Sequence, residues 1–182
     1  MYPVTGTSTC KGRNGRMLLS PPITSLCFIS AAVVAVFSTL PGAFAQDTHI
    51  VFVYGTLKVG EMNHDVLTDP DNGMASLVGE AITTDKWPLV IWPSSSVPYM
   101  VDLKGEGYRV AGEVYTVDDK MFAKLDEVES VPESYYRKMV DVELLTGHHD
   151  DSDGPFKAWN YFAAQNSEEL LQLPFISNYT AE

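Results

Sequence analysis

The sequence predicts an α+β fold: a small, mostly antiparallel β-barrel-like domain with few helices. Six or seven short runs of apolar, β-branched and aromatic residues are separated by Gly, Pro, Asp and Ser. Only one stretch carries a clear helical period, and a chain of 182 residues has room for one ordinary domain. So many strands with so little helix between them read as antiparallel sheet curled toward a barrel. The first run, residues 50–54, is continuously apolar, as expected of a strand buried on both faces, and Gly55 closes it with a sharp turn. Further strands are expected at residues 77–82, 89–92, 99–103, 110–117, 136–144 and 156–163. Between the fourth and fifth of these falls the helix. Asp118 offers an N-cap, and Met121, Phe122, Leu125 and Val128 recur on one face. The polar residues 148–154 form a loop between the last two strands, and no internal repeat or linker interrupts the chain.

On a wheel of 100° per residue the four apolar residues centre about 30° from Met121, and Glu129 falls at about 80°, on the same face if the helix continues. Glu127 points to solvent, Asp126 lies at the margin, and Pro132 stops the helix. The run Asp126, Glu127, Glu129, Glu133 would ordinarily be a solvated face. A carboxylate sharing an apolar face is different, because burial raises its pKa and marks it as a candidate for proton transfer.

Composition narrows the function. Lys plus Arg number 12 against 24 Asp plus Glu, for a net charge of −12. The three basic residues of the first 45, Lys11, Arg13 and Arg16, are accompanied by no acid, so the remainder is more acidic still. Neither nucleic acid nor an anionic lipid surface is an expected partner. Residues 23–40 carry no charge and follow those basic residues, and Ala43 and Ala45 supply an Ala-x-Ala arrangement after Pro41-Gly42. This pattern predicts a secretory signal over 1–45 cleaved near Ala45, with a membrane-anchored form as the alternative and a secreted domain over 46–182. Both cysteines, Cys10 and Cys27, lie in the leader, so the mature chain would have no disulfide, no thiol nucleophile and no thiolate metal site. Asn178-Tyr179-Thr180 has the form of a glycosylation sequon.

Other residues are assigned bland roles. His49, His148 and His149 lack the spacing of a zinc site, and the acidic loop lacks the bidentate Glu of a calcium loop. Lys58 and His64 are expected as solvated loop residues, with Asn63-His64 opening and capping a short helix. Of Tyr135 and Tyr136, one belongs to the core and the other is free to close a pocket. Arg137 either pairs with an acid near Glu129 or lies on the surface. A monomer is expected, since there is no heptad and no long exposed apolar strand.

The turn Tyr54-Gly55-Thr56-Leu57-Lys58, with Gly60 and Asn63-His64, occurs in order with Trp87-Pro88-Leu89-Val90-Ile91, Gly112-Glu113-Val114-Tyr115, the segment Leu125 to Pro132 and Tyr135-Tyr136-Arg137. This set resembles the gamma-glutamylcyclotransferase-like family, and within it the gamma-glutamylamine cyclotransferase branch. The resemblance spans residue 50 to about residue 178. It implies a small barrel-like α+β fold with one cavity, no metal and no organic cofactor. It also implies a small-molecule substrate, a γ-glutamyl amide, from which an amine is released while the glutamyl part closes to 5-oxoproline. By the same resemblance the general acid/base falls on Glu129, and the substrate-binding backbone on Tyr54, Gly55, Thr56 and Leu57. The chemistry fits: the substrate's ammonium must lose a proton before it attacks, and a buried carboxylate can take that proton and later return it to the leaving amine.

Overall fold

The structure is a computed structural model that describes residues 47–147, 154–165 and 167–181. The expected leader, its expected cleavage site and the expected loop at His148 and His149 lie outside the described residues. Five strands close a barrel in the order β1 (Thr48–Val53), β5 (Tyr108–Asp118), β2 (Ala75–Trp87), β6 (Tyr135–Leu144), β7 (Phe156–Ala163). Four of the five pairings are antiparallel; β7 closes on β1 in parallel, with Val51 opposite Trp159. A hairpin of β3 (Leu89–Ile91) and β4 (Pro98–Met100) forms a separate two-stranded sheet beside the barrel. The helices are α1 (Asp65–Thr68), α2 (Asp119–Val128) and α3 (Ser167–Leu170). None among the described residues is long and apolar enough to cross a membrane.

Strand β1 is central because both of its faces are covered. Phe52 enters a core shared with Leu89, Met100, Val114, Phe162 and Tyr179, while Val51 and Val53 turn outward beneath α2 and join Met121, Leu125, Tyr135 and Tyr161. A period of two sends neighbouring residues to opposite faces, so a continuous apolar run is what a doubly covered strand requires.

Helix α2 follows β5 without a loop. The Asp118 side chain accepts from the Met121 N–H at 2.8 Å, which satisfies one otherwise orphaned donor and fixes where the helix begins. Met121 and Leu125 are fully buried, whereas Val128 is exposed. The last helical residue is Val128; Glu129 is the C-cap, its N–H still bonded to the Leu125 carbonyl, and Ser130 takes φ 51°. Glu129 therefore keeps its place in the helical spiral as the chain turns away.

Two strands differ in extent from expectation. β2 runs on through Thr83, Thr84, Asp85 and Lys86, past a register shift between Ile82 and Lys86. There the buried Thr83 hydroxyl donates to the Asp85 carbonyl and accepts from the Val110 N–H. β4 stops at Met100, and the chain passes through Gly105 (φ 99°) and Gly107 (φ 74°) before β5. A Cβ on Gly107 would lie 2.5 Å from the Trp87 carbonyl oxygen.

Candidate active site

After β1 the chain turns at Tyr54-Gly55-Thr56-Leu57. The Lys58 N–H bonds to the Gly55 carbonyl at 3.1 Å, and the Asn63 N–H reaches back to the Thr56 carbonyl at 2.9 Å while its side-chain amide donates to the Thr56 hydroxyl at 3.1 Å. Gly55 is required by packing: a Cβ there would sit 2.7 Å from Pro98 Cγ on the neighbouring hairpin. A second anchor is the Glu113 carboxylate on β5, which accepts from the Val59 N–H and from the Tyr115 hydroxyl. Within this braced turn the N–H groups of Thr56 and Leu57 have no acceptor among the described residues. Two adjacent unsatisfied donors form a small concavity suited to an anion.

The turn residues Tyr54, Gly55, Thr56 and Leu57 line a cavity of about 200 Å³. Its walls come from β1, from the turn, from Val97 and Pro98 at the hairpin, and from Leu125, Val128 and Glu129 at the end of α2; Tyr135 and Tyr161 complete it. Among the described residues that line it, Glu129 is the one charged side chain, and none is Lys, Arg or His. Burial pushes its carboxyl up from an ordinary 4.5 to about 7, and among the described residues no cation or hydrogen-bond donor holds it. A carboxyl in that condition can accept and return a proton near neutral pH.

The tyrosines around it are committed elsewhere. Tyr54 donates to the Tyr161 carbonyl at 2.9 Å and accepts from the Met100 N–H at 3.4 Å. Tyr135 donates to the Pro98 carbonyl at 3.1 Å and stacks on Tyr99 with ring centroids 5.2 Å apart. Tyr161 donates to Asp126 at 2.9 Å. Burial, with the nearby negative charges, raises all three hydroxyls well above the ordinary tyrosine range, so they stay neutral and act as wall rather than as bases.

The structure thus brings Glu129 and the turn Tyr54, Gly55, Thr56 and Leu57 to one cavity. Arg137, whose alternatives were open, pairs with Asp126 at 3.0 Å, its guanidinium 4.0 Å above the Phe122 ring. Tyr135 is the core member of its pair, and Tyr136 turns the other way to donate to Asp102. Two expectations are corrected. Lys58 is not a solvated loop residue: it is 8% exposed, and its Nζ donates to Asn178 Oδ1 at 2.9 Å and to the Tyr179 carbonyl at 2.6 Å. His64 precedes α1 but makes no side-chain cap; its Nδ1 instead meets the Leu57 carbonyl at 3.0 Å. His49 stacks on Phe122 and pairs with Asp119 at 2.7 Å, and no group of potential metal ligands is found among the described residues. Sequence reasoning gave no site role to Glu113, Pro98 or Tyr161. The Gly55–Pro98 and Tyr161–Asp126 contacts join segments far apart in the chain, and no local pattern announces them.

Residues 51–179 match the family described as gamma-glutamyl cyclotransferase, AIG2-like. The chain is 41% identical over 132 residues to the gamma-glutamylaminecyclotransferase of Bos taurus, covering 72% of this chain and 76% of that protein. To the protein of the same name from Rattus norvegicus it is 38% identical over 135 residues, covering 72% and 89%. The crystal structure of an AIG2-like protein from Mus musculus matches with a TM-score of 0.69 at 34% identity, covering 73% of this chain and 88% of that one.

Proposed function

From the premise that the chain belongs to the gamma-glutamyl cyclotransferase, AIG2-like family and is a gamma-glutamylamine cyclotransferase, we propose that it releases 5-oxoproline and a free amine from γ-glutamyl amides. The favoured substrate is the ε-lysine isopeptide, Glu129 is the acid/base, and no cofactor takes part. The observation that carries this reading is the Glu129 carboxyl, desolvated and, among the described residues, the one charged group lining the cavity and without a partner.

In the proposed reaction the substrate's α-ammonium meets Glu129 and gives up a proton. The freed amine attacks the γ-carbonyl carbon and closes a five-membered lactam. The attacking nitrogen sheds its second proton as the amide C–N bond breaks, Glu129 returns the first to the departing nitrogen, and the second leaves with the amine as its ammonium, so no water is consumed. Ring closure is intramolecular, and much of the acceleration comes from holding amine and carbonyl in contact. The substrate's α-carboxylate carries a full charge and finds no cation in the lining, so the Thr56 and Leu57 N–H groups are its natural seat.

The same lack of cations favours amines over amino acids as leaving groups. A γ-glutamyl amino acid carries a second carboxylate one carbon from the scissile nitrogen. That charge would lie among apolar residues such as Met62, Val97 and Val128, in a cavity whose own charge is negative. The hydrocarbon next to the nitrogen of ε-lysine meets no such cost. Comparing 5-oxoproline release from γ-glutamyl-ε-lysine and from γ-glutamyl-alanine tests the reading, with kcat/KM expected to favour the former by at least about tenfold; equal rates would reject the amine preference. We propose further that residues 1–45 are removed on export, so the enzyme acts on crosslinked protein debris outside the cell. Recovery from the medium of a chain beginning near Gln46 would support this, and retention of the leader inside the cell would oppose it.

A further inference from the structure

Lys58 is a buried cation that contacts no carboxylate among the described residues. Its ammonium is held by two neutral oxygens of the chain's last residues, Asn178 Oδ1 at 2.9 Å and the Tyr179 carbonyl at 2.6 Å, each about 120 residues away in sequence. That terminal segment is itself firmly seated. The Ala111 N–H bonds to the Ser177 carbonyl at 2.8 Å, the Ile176 N–H bonds to the Leu89 carbonyl at 2.8 Å, and the Tyr179 ring is buried in the barrel core with its hydroxyl donating to the Ser96 carbonyl. Beyond it the Ala181 N–H meets the Glu61 carboxylate, on the far side of the same turn. The turn carrying the free Thr56 and Leu57 N–H groups is therefore clamped twice, by Glu113 through Val59 and by the terminal strap through Lys58 and Glu61.

We propose that the terminal strap, residues 176–181, acts through Lys58 to position the substrate-binding turn, so that Lys58 and Asn178 are positioning residues for the γ-glutamyl headgroup. Lys58 does not line the cavity and needs no contact with substrate. It fixes the backbone of the turn that lines the cavity, and groups held by such anchors lose little entropy when they bind. Without the clamp the turn keeps its sequence and its Glu113 anchor but gains freedom, and the loss falls on binding before chemistry. The inference rests on the proposed role of the turn in holding the substrate, so it is tested with one readout that needs no activity.

The experiment compares Lys58→Met, which keeps the aliphatic stem and removes the ammonium, and Asn178→Ala, at an exposed position, with the unaltered protein. Hydrogen exchange at the Glu61 and Asn63 amides, both bonded within the turn, is expected to speed up about tenfold or more in Lys58→Met while β1 amides are unchanged. With γ-glutamyl-ε-lysine, KM is expected to rise about tenfold in Lys58→Met and about threefold in Asn178→Ala, with kcat and its pH profile retained. Should Lys58→Met not fold, Asn178→Ala alone decides by the same two readouts. Unchanged exchange in the turn overturns the strap. Faster exchange with unchanged KM overturns its link to substrate. Absence of turnover in the unaltered protein, with exchange still altered in the variants, would sink the proposed reaction and leave the clamp standing.

Discussion

Replacing Glu129 with Gln should make the protein more stable at alkaline pH, and the size of the gain follows from the site. Burial raises the carboxyl from 4.5 to about 7. The folded state then holds the proton more tightly than the unfolded chain does, so ionisation opposes folding. The folded state is most favoured below the unfolded value and loses that advantage as pH climbs through about 7. At about 1.4 kcal/mol per tenfold change in proton affinity, the full loss is on the order of 3 kcal/mol, a large share of the 5–15 kcal/mol typical of a domain. Gln has nearly the same shape and cannot ionise, so its variant lacks this loss. Urea unfolding of both proteins at pH 4.5 and pH 8.5, at one ionic strength, gives the comparison. Any fixed cost of burying an amide appears at both pH values and cancels. The stability difference, variant minus unaltered protein, should grow by about 2–3 kcal/mol between the two. A difference that stays constant would show that the Glu129 carboxyl is solvated, and would remove the physical basis for its role as a base.

Further outcomes follow from the same geometry. kcat/KM should rise with pH through a limb near 7, because the base form of Glu129 starts the reaction; an acid limb near 4.5 in a pH-rate profile would contradict this. Gly55→Ala should lower stability by about 1–3 kcal/mol and raise KM, since the added methyl meets Pro98 Cγ at 2.7 Å, as thermal melting and initial rates would show. Asp118→Ala should cost about 1 kcal/mol by removing the cap of α2, read by urea unfolding. Treatment with a chelator should leave turnover unchanged, as a rate measured before and after dialysis would reveal.

Much of the fold is legible in the sequence because its signals are local. All seven strands fall where apolar runs lie, and α2 begins at Asp118 because capping and periodicity agree there. The doubly buried β1 is readable from its unbroken run of Ile50, Val51, Phe52 and Val53. The extension of β2 is not readable, because Thr83 to Lys86 are polar and join the sheet through hydrogen bonds of Thr83 rather than through apolar side chains. Nor is the parallel closure of β7 on β1, since strand pairing leaves no trace in the alternation of either strand. In the site, Glu129 stands out as a carboxylate on an apolar helical face. Lys58 does not, because a lysine after a Gly-containing turn is ordinarily solvated, and here its burial is imposed by a tail about 120 residues away. Nor is the seating of Tyr179 readable, since its ring is core and its carbonyl anchors the turn through contacts distant in sequence.

The most direct test of the account is 5-oxoproline formation from γ-glutamyl-ε-lysine by the purified 46–182 protein, run beside Glu129→Gln. Product from the unaltered protein, with turnover at least about 10²-fold lower in the folded variant, is the predicted result. Near-equal rates would remove Glu129 from the mechanism, and absence of product from both folded proteins would contradict the proposed reaction itself.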